Sequence, residues 1–149
     1  MLTIGKVSRI AEFDVEWVGA LSAEEYKAGK EFIPRLKESW WLRSPGYFSY
    51  LAASVDACGN IHANGSSIYY GSYAVRPALR IGNLESLNLR PGDKAEVAGV
   101  MWTVISENLA LADEFIGESV FNKDLEKGNE YHGSDLEKYI LTWWEKRSK

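Results

Sequence analysis

The segment from Trp40 to Ile81 consists of short runs of strand-forming residues separated by turn residues. The runs that read as strands are WWLRS, FSYLAASVD, IHAN, IYYGSY and VRPALRI. Asp56–Gly59 and Asn64-Gly65 are predicted hairpin turns, since Asn and Gly accept the positive φ that tight turns require. This pattern limits the middle of the chain to a sheet of short, closely connected strands.

Two predicted helices flank this segment, and each begins with a capping box. Ser22 is followed three residues later by Glu25, and Ser134 by Glu137. In this arrangement the serine oxygen accepts from one free amide at the helix start, and the glutamate accepts from another. The first helix is predicted over Ala23–Ala28, before a glycine that can end it. The second has an apolar face formed by Leu136, Tyr139, Ile140 and Trp143.

Further runs with strand character lie outside the middle segment. They are Thr3–Ile10, Phe13–Val18, Ala95–Val97, Val100–Ser106 and Leu109–Ala112. Asn108 is predicted to lie in the turn between the last two. A chain of 149 residues suits one compact core. The sequence therefore predicts a single domain over residues 1–149 of the α+β class, with a twisted, mostly antiparallel sheet flanked by two short helices.

The charge of the chain argues against nucleic-acid binding. The formal net charge is -4, and the basic residues are scattered rather than gathered in a patch. Neutralising phosphates requires a basic footprint, which this composition does not supply. The C-terminal cluster of Lys146, Arg147 and Lys149 is interpreted as a solvated helix end.

The cysteine content and the N-terminal segment bear on the compartment. Cys58 is the only cysteine, so no disulfide within the chain is possible, and it is interpreted as a structural thiol. Lys6, Arg9, Glu12 and Asp14 interrupt the apolar residues near the N-terminus. No signal peptide or membrane span is visible, so we expect no membrane association and a cytoplasmic or phage-particle location.

Three motifs at a fixed order and spacing carry a resemblance to a known family. LSAEEY at Leu21–Tyr26 precedes WWLRSPG at Trp40–Gly46, and VRPALRI at Val75–Ile81 closes the segment. The region over Val18–Ile81 resembles a widespread family of bacterial and phage domains of uncharacterised function. That family is similar to the C-type lectin fold, so the resemblance implies a C-type-lectin-like scaffold.

The second half resembles the same family in an unusual position. VAGVMWTVISENLALAD and YHGSDLEKYILTWW look like the opening portion of typical members, yet here they follow VRPAL. The chain therefore looks circularly permuted. Terminal strands of lectin-like folds lie side by side, which makes such a rearrangement physically easy. Exchange of halves between neighbouring chains is an alternative.

The aromatic and basic residues of the motifs have structural interpretations. Trp40 and Trp41 are successive in a predicted strand, so we expect one to face the core and the other to face outward. Arg43 can hold loop carbonyls or a carboxylate together through its planar set of donors. Arg76 is held extended by the proline after it. Ligand contact is the alternative for both arginines, whereas the tryptophans Trp102, Trp143 and Trp144 are predicted packing rings.

Asp56–Tyr73 is the predicted ligand-binding stretch. It is dense in Asn, Ser, Tyr, His and Gly and carries almost no charge. Tyrosine offers rigid amphipathic area and the small polar residues offer adaptable hydrogen bonds, as in antibody paratopes. The candidate ligand-binding residues are His62, Asn64, Tyr69, Tyr70 and Tyr73. The alternative is that these are ordinary solvent-facing strand residues.

The sequence predicts no enzyme activity, metal or cofactor. His62 and His132 are the only histidines and lie far apart in the sequence. A phosphate-binding loop, a dinucleotide-binding glycine motif, HExxH and GxSxG are all missing. The acidic pairs Glu24-Glu25 and Asp113-Glu114 do not form a convincing calcium cage.

Two functional hypotheses follow from these observations. The first is a non-catalytic binding module, phage-related or acting in host-surface recognition, that takes a protein or glycan ligand on Asp56–Tyr73. The second is a structural or assembly domain that uses the same aromatic face for self-association into homo-oligomers.

Overall fold

The structure is a computed structural model that describes Val7–Ser8 and residues 12–148. The strands in chain order are β1 (Val7–Ser8), β2 (Val15–Gly19), β3 (Trp40–Pro45), β4 (Leu51–Val55), β5 (Ile61–Ser67), β6 (Ala74–Val75), β7 (Ala78–Ile81), β8 (Lys94–Val97), β9 (Val100–Val104), β10 (Leu109–Ala112) and β11 (Gly117–Glu118). The helices are α1 (Ala23–Gly29), continued by a 3₁₀ turn at Lys30–Phe32, and α2 (Asp135–Arg147). Most of the strand predicted over Thr3–Ile10 lies outside the described residues.

The strands form two sheets, where the sequence predicted one. The first has the order β1-β8-β9-β10-β7-β2, and the second has the order β11-β6-β3-β4-β5. Neighbouring strands run antiparallel except for the pairs β1 with β8 and β3 with β6, which are parallel. The α+β class and the mostly antiparallel pairing are therefore confirmed.

The chain crosses from one sheet to the other at Arg76-Pro77. Val75 ends β6 in the second sheet, and Ala78 begins β7 in the first. The sequence predicted one continuous strand over VRPALRI. The strand is interrupted because proline has no N–H to donate and restricts the backbone of the residue before it.

The two halves of the sequence pair with each other within one chain. Leu109 of β10 lies opposite Arg80 of β7, and Leu111 lies opposite Ala78. The family-like second half therefore completes the sheet that the first half begins. Trp102 of β9 is fully buried, and its ring lies 6.2 Å from Trp143 on α2, as predicted for a packing ring.

Trp40 and Trp41 lie on opposite sides of β3, and both are buried. The prediction that one of them faces outward is wrong. Trp40 packs in a cluster with Tyr26, whereas Trp41 packs against Phe121 with ring centroids 5.6 Å apart. Phe121 and residues of α2 cover the face of the sheet that would otherwise meet solvent.

The start of α1 has the predicted capping box, whereas α2 has only the serine half of it. Ser22 Oγ accepts from the Glu25 N–H at 3.1 Å, and Glu25 Oε1 accepts from the Ser22 N–H at 2.9 Å. At α2, Ser134 Oγ accepts from the Glu137 N–H at 3.1 Å. The Glu137 carboxylate accepts from the N–H of Gly133, one residue before the expected partner.

Candidate functional site

Asn64-Gly65 lies inside β5 and does not form the predicted turn. The pairing of β4 with β5 shifts register between Ala52 and Ser54, which marks a bulge. Gly65 has φ +109°, and a Cβ there would lie 2.8 Å from Leu51 Cβ. Gly65 therefore allows β4 and β5 to approach closely, and β5 continues to Ser67.

The loop between β3 and β4 presents three aromatic rings to solvent. Tyr47 is 75% exposed, and Phe48 and Tyr50 are about half exposed. The Phe48 and Tyr50 rings are stacked with centroids 5.5 Å apart, and Tyr47 meets Phe48 edge-on at 4.7 Å. The sequence predicted a strand from Phe48, but regular pairing begins only at Leu51. The rings are therefore held in the loop that joins β3 to β4.

Hydrogen bonds from neighbouring segments fix this loop. The Tyr47 N–H donates to the Asn64 carbonyl at 2.7 Å. Asn129 Nδ2 donates to the carbonyls of Phe48 and Leu51 at 3.1 and 3.0 Å. These hydrogen bonds hold the backbone of the loop in place and thereby position the exposed rings.

A second pair of exposed rings follows β5. Tyr69 and Tyr70 are each about half exposed and lie in a turn, where the sequence predicted a strand. The turn is anchored by Ile68, which is fully buried and whose carbonyl accepts from the Phe121 N–H at 2.8 Å. The Tyr70 N–H donates to the Ser67 carbonyl at 3.1 Å.

An open groove of about 480 Å³ separates the two sets of rings. The described residues that line it are Tyr50, Leu51, Gly65, Ser66, Ser67, Tyr69 and Tyr70. All of these side chains are uncharged. Within the described part of the chain, the buried Ser67 Oγ has no hydrogen-bond partner. The rings of Tyr47, Phe48, Tyr50, Tyr69 and Tyr70, together with this groove, are called the aromatic surface below.

The structure divides the predicted ligand-binding residues. Tyr69 and Tyr70 lie on the aromatic surface, and Asn64 adjoins it through its backbone contact to the loop. Tyr73 lies underneath, with its ring 4.7 Å from Trp41 and its hydroxyl donating to Ser66 Oγ at 3.1 Å. Tyr73 is therefore a support for the surface.

His62 lies toward the other end of the β4–β5 hairpin, opposite Ser54. Its Nε2 is 2.8 Å from Asp56 Oδ2, and this hydrogen bond holds the pKa of Asp56 below its usual value. Asp56 also accepts from the Cys58 and Asn60 N–H groups through Oδ1. His62 thus stabilises the hairpin turn and does not reach the groove.

Sequence reasoning missed Tyr47, Phe48 and Tyr50. The available signal was the dense run of aromatic residues directly after the Ser-Pro-Gly turn, because a turn leaves such rings without a sheet face to cover them. Reading the run as the start of a strand placed half of it in the core.

The described residues contain neither a metal-binding cluster nor a membrane-crossing helix. They hold no group of three or more His, Cys, Asp or Glu side chains placed to bind a metal ion. Neither α1 nor α2 is long and apolar enough to cross a membrane.

Comparison with known proteins gives one match. Residues 8–83 match the model of a family described as a domain of unknown function (DUF6273). The matched region, just over half of the chain, contains all three sequence motifs and all five rings of the aromatic surface. No curated protein and no solved structure matches the chain significantly.

Proposed function

The chain belongs to this DUF6273 family, and from that premise we propose that it is a non-catalytic binding module whose aromatic surface takes a protein or glycan ligand. The observation that carries the proposal is a set of five exposed rings, three of which (Tyr50, Tyr69 and Tyr70) line one uncharged groove. Soluble proteins seldom leave contiguous aromatic area exposed unless it meets a partner. Tyrosine rings of this kind dominate binding energy in many interfaces.

The chemistry of the groove favours a neutral polar ligand. Tyrosine rings offer flat apolar faces, and their hydroxyls both donate and accept hydrogen bonds. Ser66 and Ser67 add neutral polar residues to the lining. Transfer of a charged group to this uncharged lining would cost free energy without a compensating partner. Sugar hydroxyls and peptide amides match these features better than phosphates or carboxylates do.

The scaffold and the biological setting belong to the same proposal. The WWLRSPG and VRPAL resemblance supports a C-type-lectin-like, circularly permuted scaffold and a phage-related or host-surface role. The lining of the groove holds no carboxylate, imidazole or amine, the groups that general acid–base chemistry uses most often, and this supports binding without catalysis.

Paired alanine variants test the proposal. A glycan array and a peptide array identify a ligand for the wild-type protein, and its affinity is then measured for Tyr69→Ala/Tyr70→Ala and for Phe48→Ala/Tyr50→Ala. We expect each double variant to weaken binding by about tenfold or more, because such rings carry most of the energy of an interface. The melting temperature should change by about 2 °C or less, since exposed side chains contribute little to stability.

Leu141→Ala is the matched control, because Leu141 is an exposed apolar residue on α2 away from the aromatic surface. It should bind as the wild type does. Full binding by both double variants, or no ligand on either array, would contradict the proposal.

A self-assembly function is the second candidate, and one observation favours it. β5 is the end strand of its sheet, next to the aromatic surface. An unpaired strand edge can pair with a second copy. Sedimentation over a wide protein concentration range separates the two functions. A strict monomer contradicts assembly, whereas a dimer that Tyr69→Ala/Tyr70→Ala dissociates supports it.

A further inference from the structure

Arg76 places a buried positive charge where the chain crosses between the sheets. The residue is 1% exposed. Its Nε donates to the Ala112 carbonyl at 2.7 Å, and its Nη2 donates to the Pro34 carbonyl at 2.9 Å. Nη1 is buried and has no hydrogen-bond partner among the described residues. Among those residues, no carboxylate lies within ion-pair distance of the guanidinium.

Such an arrangement favours a bound anion. Burial lowers the pKa of Arg76 to about 10, so the group still carries its charge at neutral pH. The charge of Asp113 acts on Arg76 only from beyond ion-pair distance. A buried charge without a counter-charge in contact is costly, and unsatisfied N–H donors add to the cost. The two carbonyl contacts and the Trp40 ring, 5.0 Å from the guanidinium carbon, offset part of it. A negative group bonded to Nη1 would offset the rest.

A cavity of about 310 Å³ lies at this position, with Arg76 in its lining. Trp40, Leu36 and Val55 give it apolar walls. Its volume falls at the lower end of the range of about 300–1,000 Å³ that small-ligand sites occupy. The space therefore suits a short apolar group in addition to the anion.

The charges at the cavity favour the same kind of ligand. Lys30 and Arg35 are exposed and also line the cavity. Asp56 is the acidic residue of the lining, but its oxygens already accept from the His62 ring and from two backbone N–H groups of the turn. The remaining charged groups are basic, which draws an anion toward the opening.

We propose that this cavity binds a carboxylate on a short apolar stem, with the carboxylate accepting hydrogen bonds from Nη1 of Arg76. The planar donor set of arginine matches carboxylate geometry, and the apolar walls hold the stem. The carboxylate comes from a free short-chain acid or from the C-terminus of a peptide.

This cavity is separate from the aromatic surface. It lies at the turn of the β4–β5 hairpin, where Val55 pairs with Ile61, whereas the groove lies where Leu51 pairs with Ser67. The inference therefore goes beyond the proposed function, and each of the two sites can be tested without the other.

Titration of ¹⁵N-labelled protein with N-acetyl-leucine and with N-acetyl-leucinamide tests the proposal. The two compounds have the same stem, and only the first has a carboxylate. We expect the acid to shift the Arg76 Nε–H resonance in a saturable way, with a Kd at least about tenfold lower than that of the amide, because hydrogen bonds to charged groups are the stronger ones. Inorganic phosphate at the same ionic strength, which has no stem, should bind more weakly than the acid.

Arg35→Glu is the test variant because Arg35 lines the cavity and its side chain is exposed, so the fold should survive the change. We expect the Kd for N-acetyl-leucine to rise about three- to tenfold, the size typical of a nearby solvent-exposed charge. Lys37→Glu reverses the same charge two residues away at an exposed position outside the lining, and it should bind as the wild type does.

Three results would overturn the proposal: no saturable shift of the Arg76 signal, equal binding of the acid and the amide, or phosphate binding as tight as that of the acid. If none of these results is seen, titration with the peptide N-acetyl-Ala-Leu distinguishes the two sources of the carboxylate. Binding at least about tenfold tighter than that of N-acetyl-leucine indicates a peptide C-terminus, since a longer chain then makes further contacts. Equal or weaker binding indicates a free acid.

Discussion

Glu25 and Arg43 form a two-point ion pair: Arg43 Nη1 lies 2.6 Å from Glu25 Oε1, and Nη2 lies 3.2 Å from Oε2. The same Glu25 carboxylate closes the capping box of α1, and Arg80 Nη2 approaches its Oε2 at 3.5 Å. Arg43 and Arg80 both lie over the Trp17 ring, at 4.9 and 5.1 Å from its centroid. The three motifs LSAEEY, WWLRSPG and VRPALRI therefore meet at one carboxylate, which gives a structural reason for their occurrence together.

Replacement of Glu25 by Gln should destabilise the fold by about 1–3 kcal/mol, because charge-assisted hydrogen bonds are lost while Arg43 keeps its position. Burial acts to raise the pKa of Glu25, but hydrogen bonds from Arg43 and the Ser22 N–H, with the charges of Arg43 and Arg80, outweigh it and lower the pKa below 4.5. Urea unfolding of the wild type and Glu25→Gln at several pH values measures the effect.

The difference in unfolding free energy between the wild type and Glu25→Gln should shrink at acid pH. Since the folded-state pKa is lowered, the unfolded chain binds the proton more readily, and the contribution of Glu25 is fully present above the unfolded value of about 4.5. It is lost as the pH falls through the lowered pKa. Glu24→Gln, at an exposed position on the same helix, should show no such loss. A constant gap between Glu25→Gln and the wild type down to acid pH would contradict the linkage.

Tyr73 and Tyr69 should respond differently to alanine replacement, although both lie in the stretch that the sequence predicts to bind a ligand. Tyr73 packs against Trp41 and bonds Ser66, so Tyr73→Ala should cost about 1–3 kcal/mol of unfolding free energy. Tyr69 is half exposed, so Tyr69→Ala should stay within about 0.5 kcal/mol of the wild type. Urea unfolding checks both, and equal losses would contradict the assignment of Tyr73 to the support.

Local signals predicted the parts of the fold that depend on neighbours in sequence. The N-cap serine of each helix and the glutamate whose N–H it bonds lie within one turn, so the starts of α1 and α2 could be predicted directly. Arg43 was predicted to hold loop carbonyls or a carboxylate, and it donates to the Ala20 carbonyl and to Glu25. The planar donor set of an arginine directly before a Ser-Pro-Gly turn was the basis of that prediction.

The features that could not be predicted depend on contacts distant in sequence. The burial of Trp41 requires Phe121, which lies much later in the chain and comes over the second face of the sheet. Asn64-Gly65 satisfies a turn and a bulge equally well, and only the register against β4 decides between them. The position of the exposed loop depends on the same register, because the Tyr47 N–H donates to the carbonyl of Asn64 in β5.

Gly65→Ala should destabilise the fold by about 1–3 kcal/mol, since alanine is strained at positive φ. Gly65 has φ +109°, and the added methyl group would lie 2.8 Å from Leu51 Cβ in the lining of the groove. Gly71→Ala is the control, because its Cβ would meet only Val120, at an ordinary 3.8 Å. Thermal unfolding followed by circular dichroism measures both. A stable Gly65→Ala protein would mean that the bulge tolerates a side chain.

Asn129→Ala should reduce ligand binding without removing any ring of the aromatic surface. Asn129 Nδ2 donates to the carbonyls of Phe48 and Leu51, so its loss frees the loop that carries Phe48. We expect a stability cost of about 1–2 kcal/mol from two lost hydrogen bonds. Binding should weaken about three- to tenfold, because the loop must then be ordered when the ligand binds.

The control for this prediction is Asn60→Ala at the exposed hairpin turn, where the backbone N–H, and not the side chain, bonds Asp56. It should leave binding unchanged. Calorimetric titration with the ligand from the arrays separates the two contributions, since a loop that is ordered on binding makes the entropy of binding more unfavourable. Unchanged affinity and entropy in Asn129→Ala would mean that the loop holds its conformation without these two bonds, and that the ring stacking of Phe48 on Tyr50 suffices to position it.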